Sequence, residues 1–197
     1  MKYTLFYHFY KLQAADYIRK YRDPEKFLAF CRACERYNRC WVCPPYEEDA
    51  VAGLQAYKYV YLIGIQIIPL QKERLYPMPE QESQKIVRHM LVEVRAKTDP
   101  RLRELEIEFS GSRAFYAGTC HLCAEQQCRK IWNLPCCHPD LIRPSLEALG
   151  FDLSRTAEEL FHIPLKWGKT GEWPDYWMLI SGFFTVSEVN FHTGIFE

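Results

Sequence analysis

The chain contains 197 residues, of which 48% are hydrophobic and 15% aromatic. This composition is typical of one globular domain and not of a disordered segment. Lys plus Arg and Asp plus Glu number 25 each, so the formal net charge is zero, and no overall field attracts nucleic acid or an anionic membrane. No apolar run reaches the length of a membrane span, and the N-terminus lacks the apolar region of a signal peptide. We therefore expect a cytoplasmic protein that binds neither nucleic acid nor a membrane.

The first part of the chain predicts one strand followed by two helices. Residues 3–10 alternate with a period of two, which predicts a strand that is largely buried on both faces. A short helix is predicted over residues 14–21. Asp23-Pro24 then supplies an N-cap and a proline at the first helical position of a second helix, which reaches Cys31 and Cys34.

The next segment predicts a helix and the clearest strand of the sequence. Glu47, Glu48 and Asp49 form an acidic first turn that is typical of a helix N-terminus, and this helix continues to about Ala56. Residues 57–68 carry apolar side chains on both faces. A strand of this kind is covered on both sides, so we expect it to be central in a sheet.

A further helix begins near Glu80 and has the apolar stripe of an amphipathic helix. The residues of the stripe are Ile86, Val87, Met90, Leu91 and Val94. Residues 105–109 alternate between apolar residues and glutamates, which predicts an edge strand. A turn at residues 110–112 and a returning strand at residues 113–117 would complete a hairpin.

The last part of the chain predicts two short helices and a strand. Pro144-Ser145 begins a capped helical turn that ends at Gly150. Ser154 is predicted to cap a helix that continues to about Phe161. Residues 176–184 are predicted to form the last strand.

This order of elements predicts an α+β fold in which helices cover a small mixed sheet. We expect a single domain over residues 1–197. Cysteine-rich loops are expected at about residues 31–45, the first cysteine loop, and residues 118–139, the second cysteine loop.

Eight of the nine cysteines fall into two compact quartets. The first contains Cys31, Cys34, Cys40 and Cys43, and the second contains Cys120, Cys123, Cys128 and Cys136. Thiolates are soft ligands for zinc or iron, and two residues between cysteines let both sulfurs reach one centre. A reducing cytoplasm argues against a disulfide framework, and scattered buried cysteines would not form two quartets. We therefore expect all eight to bind metal.

The spacing within the quartets favours iron–sulfur clusters over zinc. Zinc sites usually have two close pairs separated by about 12–20 residues, whereas the spacers here are five and four residues. Iron–sulfur clusters accept three close cysteines and a more distant one, and Cys43-Pro44 is similar to the step that ends a bacterial ferredoxin run. We expect one or two 4Fe–4S clusters, with zinc as the alternative. One centre for each quartet is favoured, because ligands close in sequence need less loop closure.

Four motifs of the chain are CRAC-x5-CWVCPP, AGTCHLC-x4-C, PCCHP and RPSLEALGFD. They resemble an uncharacterised prokaryotic family of predicted metal-binding proteins, from about Asp16 to Ile180. The resemblance implies that the eight quartet cysteines are ligands, and it implies no activity. Cys137 stands where the family usually has a basic residue, so we expect Cys136 and not Cys137 to bind metal. We expect His138 to orient the loop and His121 to point to solvent.

Two functions follow from these features. The first is a redox protein that passes electrons to or from a partner protein. The alternative is a structural or binding module that zinc staples together and that has no redox activity. The sequence contains no nucleophile–base pair, phosphate loop or dinucleotide fingerprint, so enzymatic activity is left undecided. The sequence specifies neither a substrate nor an oligomeric state.

Overall fold

A four-stranded sheet forms the centre of the computed structural model. Its strands are β1 (Tyr3–Gln13), β2 (Tyr59–Pro69), β3 (Arg113–Phe115) and β4 (Trp177–Thr185). Their order in the sheet is β1-β2-β4-β3. The residues that the structure describes are 2–46, 52–70, 79–123, 127–168, 173–191 and 193–196.

All three pairs of neighbouring strands are antiparallel. The sheet is therefore antiparallel, whereas the sequence predicted a mixed sheet. The position of β4 explains why β2 and β3 do not form a parallel pair. Strands β2 and β3 run in the same direction, and β4 enters between them in the opposite direction. The prediction of an α+β fold is confirmed.

Strand β2 is central, as its apolar pattern predicted. Tyr61 and Ile63 belong to the apolar cluster on one face, whereas Val60 and Leu62 belong to the cluster on the other. Strand β1 lies at the edge, and the prediction that it is buried on both faces is wrong. Its residues Thr4, Phe6 and Tyr10 are exposed.

Short helices cover one face of the sheet. Helix α1 (Ala14–Tyr21) has the predicted bounds, and its Tyr17 ring stacks on Phe151 at 4.9 Å. Helix α4 (Leu153–Thr156) continues as a π-helical turn over Ala157–Phe161 and packs on the same cluster. The side chain of Asp152 caps α4, so the predicted Ser154 cap is wrong by two residues.

A long helix, α3 (Glu80–Glu108), covers the other face together with apolar residues of the segment 189–196. It includes residues 105–109 up to Glu108, so the predicted edge strand is wrong. The apparent period of two is accidental, because Leu105 is buried whereas Ile107 is 80% exposed. A buried Leu102 three residues before Leu105 gives the true helical period.

The remaining predicted elements have mixed outcomes. Helix α2 (Pro24–Ala33) begins as predicted, since Asp23 accepts a hydrogen bond from the Lys26 N–H. The predicted acidic helix start at residues 47–49 lies outside the described residues, and Ala52–Ala56 is a 3₁₀ helix. In the described part of the chain, no helix is both long and apolar enough to span a membrane.

Candidate metal centre

The first cysteine loop continues directly from the end of α2. Cys31 lies in the last turn of the helix, and Cys34 is the C-cap residue, whose N–H donates to the Cys31 carbonyl at 3.0 Å. The Cys43 N–H donates to the Cys40 carbonyl at the same distance. Each pair with two intervening residues is therefore held in a turn, which is the backbone geometry that lets two sulfurs reach one centre.

The second cysteine loop follows β3. Gly118 has a φ of +66°, a conformation that favours glycine. Among the described residues, a Cβ atom at this position would meet only Arg95, at an ordinary 3.9 Å, so the backbone conformation accounts for this glycine. Further along, Cys128 precedes a 3₁₀ helix over Arg129–Trp132, and the Ile131 N–H donates to its carbonyl at 3.1 Å.

Side chains tie the two loops together, although about eighty residues separate them in sequence. The indole N–H of Trp41 donates to the Leu134 carbonyl at 3.1 Å. Lys130 Nζ donates to the Cys43 carbonyl at 3.4 Å and lies 5.5 Å from the centre of the Trp41 ring. The two cysteine quartets therefore belong to one region of the molecule.

Cys40 lies at the junction of the two quartets. Its side chain is in hydrogen-bonding contact with Cys43 of its own loop. It also contacts Cys120 and Cys128 of the second loop. Hydrogen bonds from Cys120, and then from Cys43, hold the pKa of the Cys40 thiol well below its usual range. Donation to Cys40 raises the pKa of both Cys43 and Cys120.

Three cysteine sulfurs accept hydrogen bonds from backbone N–H groups two residues further on. These sulfurs belong to Cys40, Cys120 and Cys136. The bond to Cys136 comes from the His138 N–H and is 3.3 Å long. Hydrogen bonds of this kind stabilise a thiolate and tune the potential of a metal bound to it.

Five of the eight predicted ligands line a cavity of about 730 Å³, which we call the cysteine cavity. They are Cys40, Cys120, Cys123, Cys128 and Cys136. The other three, Cys31, Cys34 and Cys43, lie outside its wall, although Cys31 and Cys43 have Cys34 as a neighbour. All nine cysteines are free thiols. Among the described residues, no three metal-ligating side chains converge tightly enough to hold a single metal ion as they stand.

Basic side chains surround the cysteine cavity. Arg36 and Arg39 of the first loop line it, as does His89 of α3. Lys85 and Arg88 of α3 also line it. Their role was not predictable from the sequence, because they occupy an ordinary polar face of an amphipathic helix. Cations in this position offset the negative charge of thiolates.

A buried ion pair anchors the segment that follows the second cysteine loop to α3. Arg143 Nε donates to the Glu106 carboxylate at 2.9 and 3.1 Å. The Ala114 N–H of β3 donates to the same carboxylate at 2.6 Å. The hydrogen bond to Glu106 raises the pKa of Arg143.

The start of the second loop is anchored by another polar group of α3. Arg95 donates to Asp99 at 3.0 Å and to the Thr119 carbonyl. Burial raises the pKa of Asp99 to about 6. His121 lies 4.0 Å from Asp99, and burial lowers its pKa to about 4. The prediction that His121 points to solvent is wrong, because its side chain is only 15% exposed.

The chain matches the family described as "Predicted metal-binding protein (DUF2284)" over residues 18–183. The match begins in α1, includes both cysteine loops and ends in β4. It confirms the family resemblance that the cysteine motifs indicated. No curated protein and no solved structure matches the chain. The chain therefore belongs to the DUF2284 family of predicted metal-binding proteins.

Proposed function

We propose that this protein is an iron–sulfur protein whose two cysteine loops jointly hold one or two 4Fe–4S clusters, and that it transfers electrons to or from a partner protein. The observation that carries the proposal is the position of Cys40. This residue of the first loop lines the same cavity as four cysteines of the second loop. A cluster of this type takes four thiolate ligands, and a cavity of about 730 Å³ offers more room than a single ion needs.

The residues around the cavity fit such a cofactor in three respects. The ligand set consists of soft thiols, which suit iron and sulfide. Arg36, Arg39 and Arg88 place positive charge beside the thiolates, and backbone N–H groups donate to three of the sulfurs. Trp41 covers part of the wall and limits the access of water. When bound, the cluster would supply one-electron transfer.

Shared ligation differs from the expectation of one centre for each quartet. The contacts of Cys40 with Cys120 and Cys128 favour a centre that takes a ligand from each loop. Cys31, Cys34 and Cys43 form a neighbouring group of thiols, which leaves room for a second centre.

One observation favours the alternative, a zinc-stapled module without redox activity. Cys40 has Cys43, Cys120 and Cys128 as neighbours, and four cysteine thiolates that converge on one ion are the ligand set of a structural zinc site. Such a site would stabilise the loops by holding them together.

The test is metal and sulfide analysis of protein prepared without oxygen. The proposal predicts iron and acid-labile sulfide in equal amounts, together with a visible absorption that dithionite bleaches reversibly. Preparation without oxygen is essential, because zinc can replace a lost cluster at vacant thiolates. Stoichiometric zinc without sulfide, in protein never exposed to air or to a chelator, would contradict the proposal and support the zinc-stapled module.

A further inference from the structure

A second cavity lies between α3 and the second cysteine loop, and we call it the side cavity. Its volume is about 200 Å³. Its polar wall consists of Arg95, Asp99, Arg103, Tyr116, His121 and Arg143. Apolar residues, among them Val42, Pro100 and Leu141, form the rest of the wall. All the residues of this wall belong to the described part of the chain.

Buried polar atoms without partners line the side cavity. Arg95 Nε, Asp99 Oδ1 and the Tyr116 hydroxyl have no hydrogen-bond partner among the described residues. Each of these residues is at most 6% exposed. Buried polar groups are nearly always hydrogen-bonded, and an unsatisfied one is costly. Nδ1 of His121, in the same wall, is a fourth buried atom without a partner in the described part of the chain. Four such atoms on one cavity indicate a bound molecule that satisfies them.

The charges around the side cavity leave one cation unpaired. Arg143 is paired with Glu106, and Arg95 is paired with Asp99. Arg103 lines the cavity, lies near Tyr116 and makes no ion pair with a described residue. The cavity therefore favours a ligand that carries a carboxylate group.

We propose that the side cavity binds a small carboxylic acid that carries a second hydrogen-bond-donating group, either a hydroxyl or an amino group. The carboxylate accepts hydrogen bonds from Arg103 and Tyr116. The second group of the ligand donates to Asp99 Oδ1. Arg95 Nε is available as an additional donor to the carboxylate.

The size and the apolar wall favour an organic acid over water or an inorganic anion. At roughly 30 Å³ for each water molecule, the side cavity has the volume of about seven waters, which corresponds to an acid of about six to eight non-hydrogen atoms. Ligand pockets typically combine an apolar lining with a few convergent polar groups. Val42, Leu122 and Ile142 offer a carbon skeleton a surface that water would not occupy favourably.

The ligand would lie beside the candidate metal centre. Cys120, His121 and Leu122 line both the side cavity and the cysteine cavity. This inference goes beyond electron transfer, because it gives the protein a small-molecule ligand. It does not depend on whether the metal is iron or zinc.

Isothermal titration calorimetry on the metal-loaded protein, prepared without oxygen, tests the proposal. The probes are L-lactate, L-alanine, propionate, which lacks the second donor, and lactamide, which lacks the charge. We expect saturable binding of lactate or alanine, and the stronger of the two identifies the second group as hydroxyl or amino. Propionate should bind about three- to tenfold more weakly, and lactamide at least about tenfold more weakly.

Variants on the polar wall test the assigned contacts. Tyr116→Phe keeps the ring and removes an unpartnered hydroxyl, so it should fold and weaken binding about three- to tenfold. Arg103→Gln should weaken binding at least about tenfold. Arg101→Gln is the matched control, because Arg101 lies on the same helix and outside the cavity wall, and it should bind like the unmodified protein.

Three results would overturn the proposal. They are no saturable binding of either lactate or alanine at tens of millimolar, equal binding of lactamide and the stronger acid, and equal affinities of the Arg103→Gln and Arg101→Gln variants. The metal content of the same preparations is measured in parallel, so a failure of ligand binding is distinguished from a failure of the iron–sulfur proposal.

Discussion

The sheet with its covering helices and the pair of cysteine loops are stabilised in different ways. In the sheet, residues such as Phe183 and Phe184 are fully buried among the chain's own apolar side chains. In the loops, most cysteines are half-buried or exposed, and contacts such as Trp41 to Leu134 join backbone and side chains at the surface. The difference teaches that apolar burial stabilises the sheet, whereas in the proposed function a bound metal would fix the sulfurs of the loops.

The largest expected effect lies in the sheet. Phe184 packs edge-on against Phe115 at 5.3 Å and against Tyr57 at 5.9 Å. Phe184→Ala should lower the free energy of unfolding by about 3–5 kcal/mol, because it removes a buried ring and leaves a cavity. Urea unfolding followed by far-UV circular dichroism measures this. Phe6→Ala, at an exposed position of β1, is the control and should cost less than about 1 kcal/mol. Equal costs would contradict the described packing.

The next effect concerns the link between the two regions. Glu106→Gln should lower the free energy of unfolding by about 3 kcal/mol, because it leaves Arg143 buried without its counter-charge. Glu108→Gln, two residues later on an exposed side chain, should change it by less than about 0.5 kcal/mol. The same unfolding experiment compares them. A negligible cost for Glu106→Gln would show that the segment that follows the second cysteine loop is not anchored to α3 in the way described.

A smaller effect is expected from Asp99. Burial raises its pKa from 3.8 to about 6 in the folded protein, so the folded state holds this proton more tightly than the unfolded state. The resulting stabilisation is complete below about pH 4 and is lost as the pH rises through 6. Between pH 5 and pH 7, the stability of the unmodified protein should fall by about 1 kcal/mol relative to Asp99→Asn. Parallel pH profiles of the two proteins would contradict this.

The smallest structural change distinguishes between two adjacent cysteines as metal ligands. Cys136→Ser should lose bound metal, because Cys136 lines the cysteine cavity and accepts the His138 N–H. Cys137→Ser should retain it, since Cys137 is exposed and its sulfur contacts Arg129 at 3.7 Å. Metal analysis of both variants tests this assignment. If Cys137→Ser lost the metal and Cys136→Ser retained it, the ligand would be Cys137 and not Cys136.

The sequence predicted best what local patterns encode. Strand β2 was predicted correctly because apolar residues occupy both of its faces. Helix α2 was predicted correctly because Asp23 and Pro24 mark a helix N-terminus. The end of α3 was missed because apolar residues at 105, 107 and 109 imitate a strand. The position of β4 between β2 and β3 depends on contacts distant in sequence, and no local pattern specifies it.

In the candidate site, too, local patterns were predictable from the sequence, whereas contacts between distant segments were not. Cysteine spacing is a local signal, and it pointed to the eight predicted ligands. The contact between Cys40 and Cys120 was not predictable, because it arises only when the chain brings two distant loops together. The polar wall formed by Arg95, Asp99 and Tyr116 was missed for the same reason, since in sequence these residues belong to an ordinary helix and an ordinary strand end.

Shared ligation by the two loops is tested most directly with Cys40→Ser, and Cys31→Ser serves as the control in the same loop. Iron and sulfide are counted in both variants, prepared without oxygen, and Mössbauer spectra are compared with that of the unmodified protein. We predict that Cys40→Ser loses or alters the centre that the second-loop cysteines hold, whereas Cys31→Ser leaves that centre unchanged, because Cys31 lies outside the cysteine cavity. If Cys40→Ser retained the full iron content and an unchanged spectrum of the second-loop centre, the claim that the loops share ligands would be contradicted.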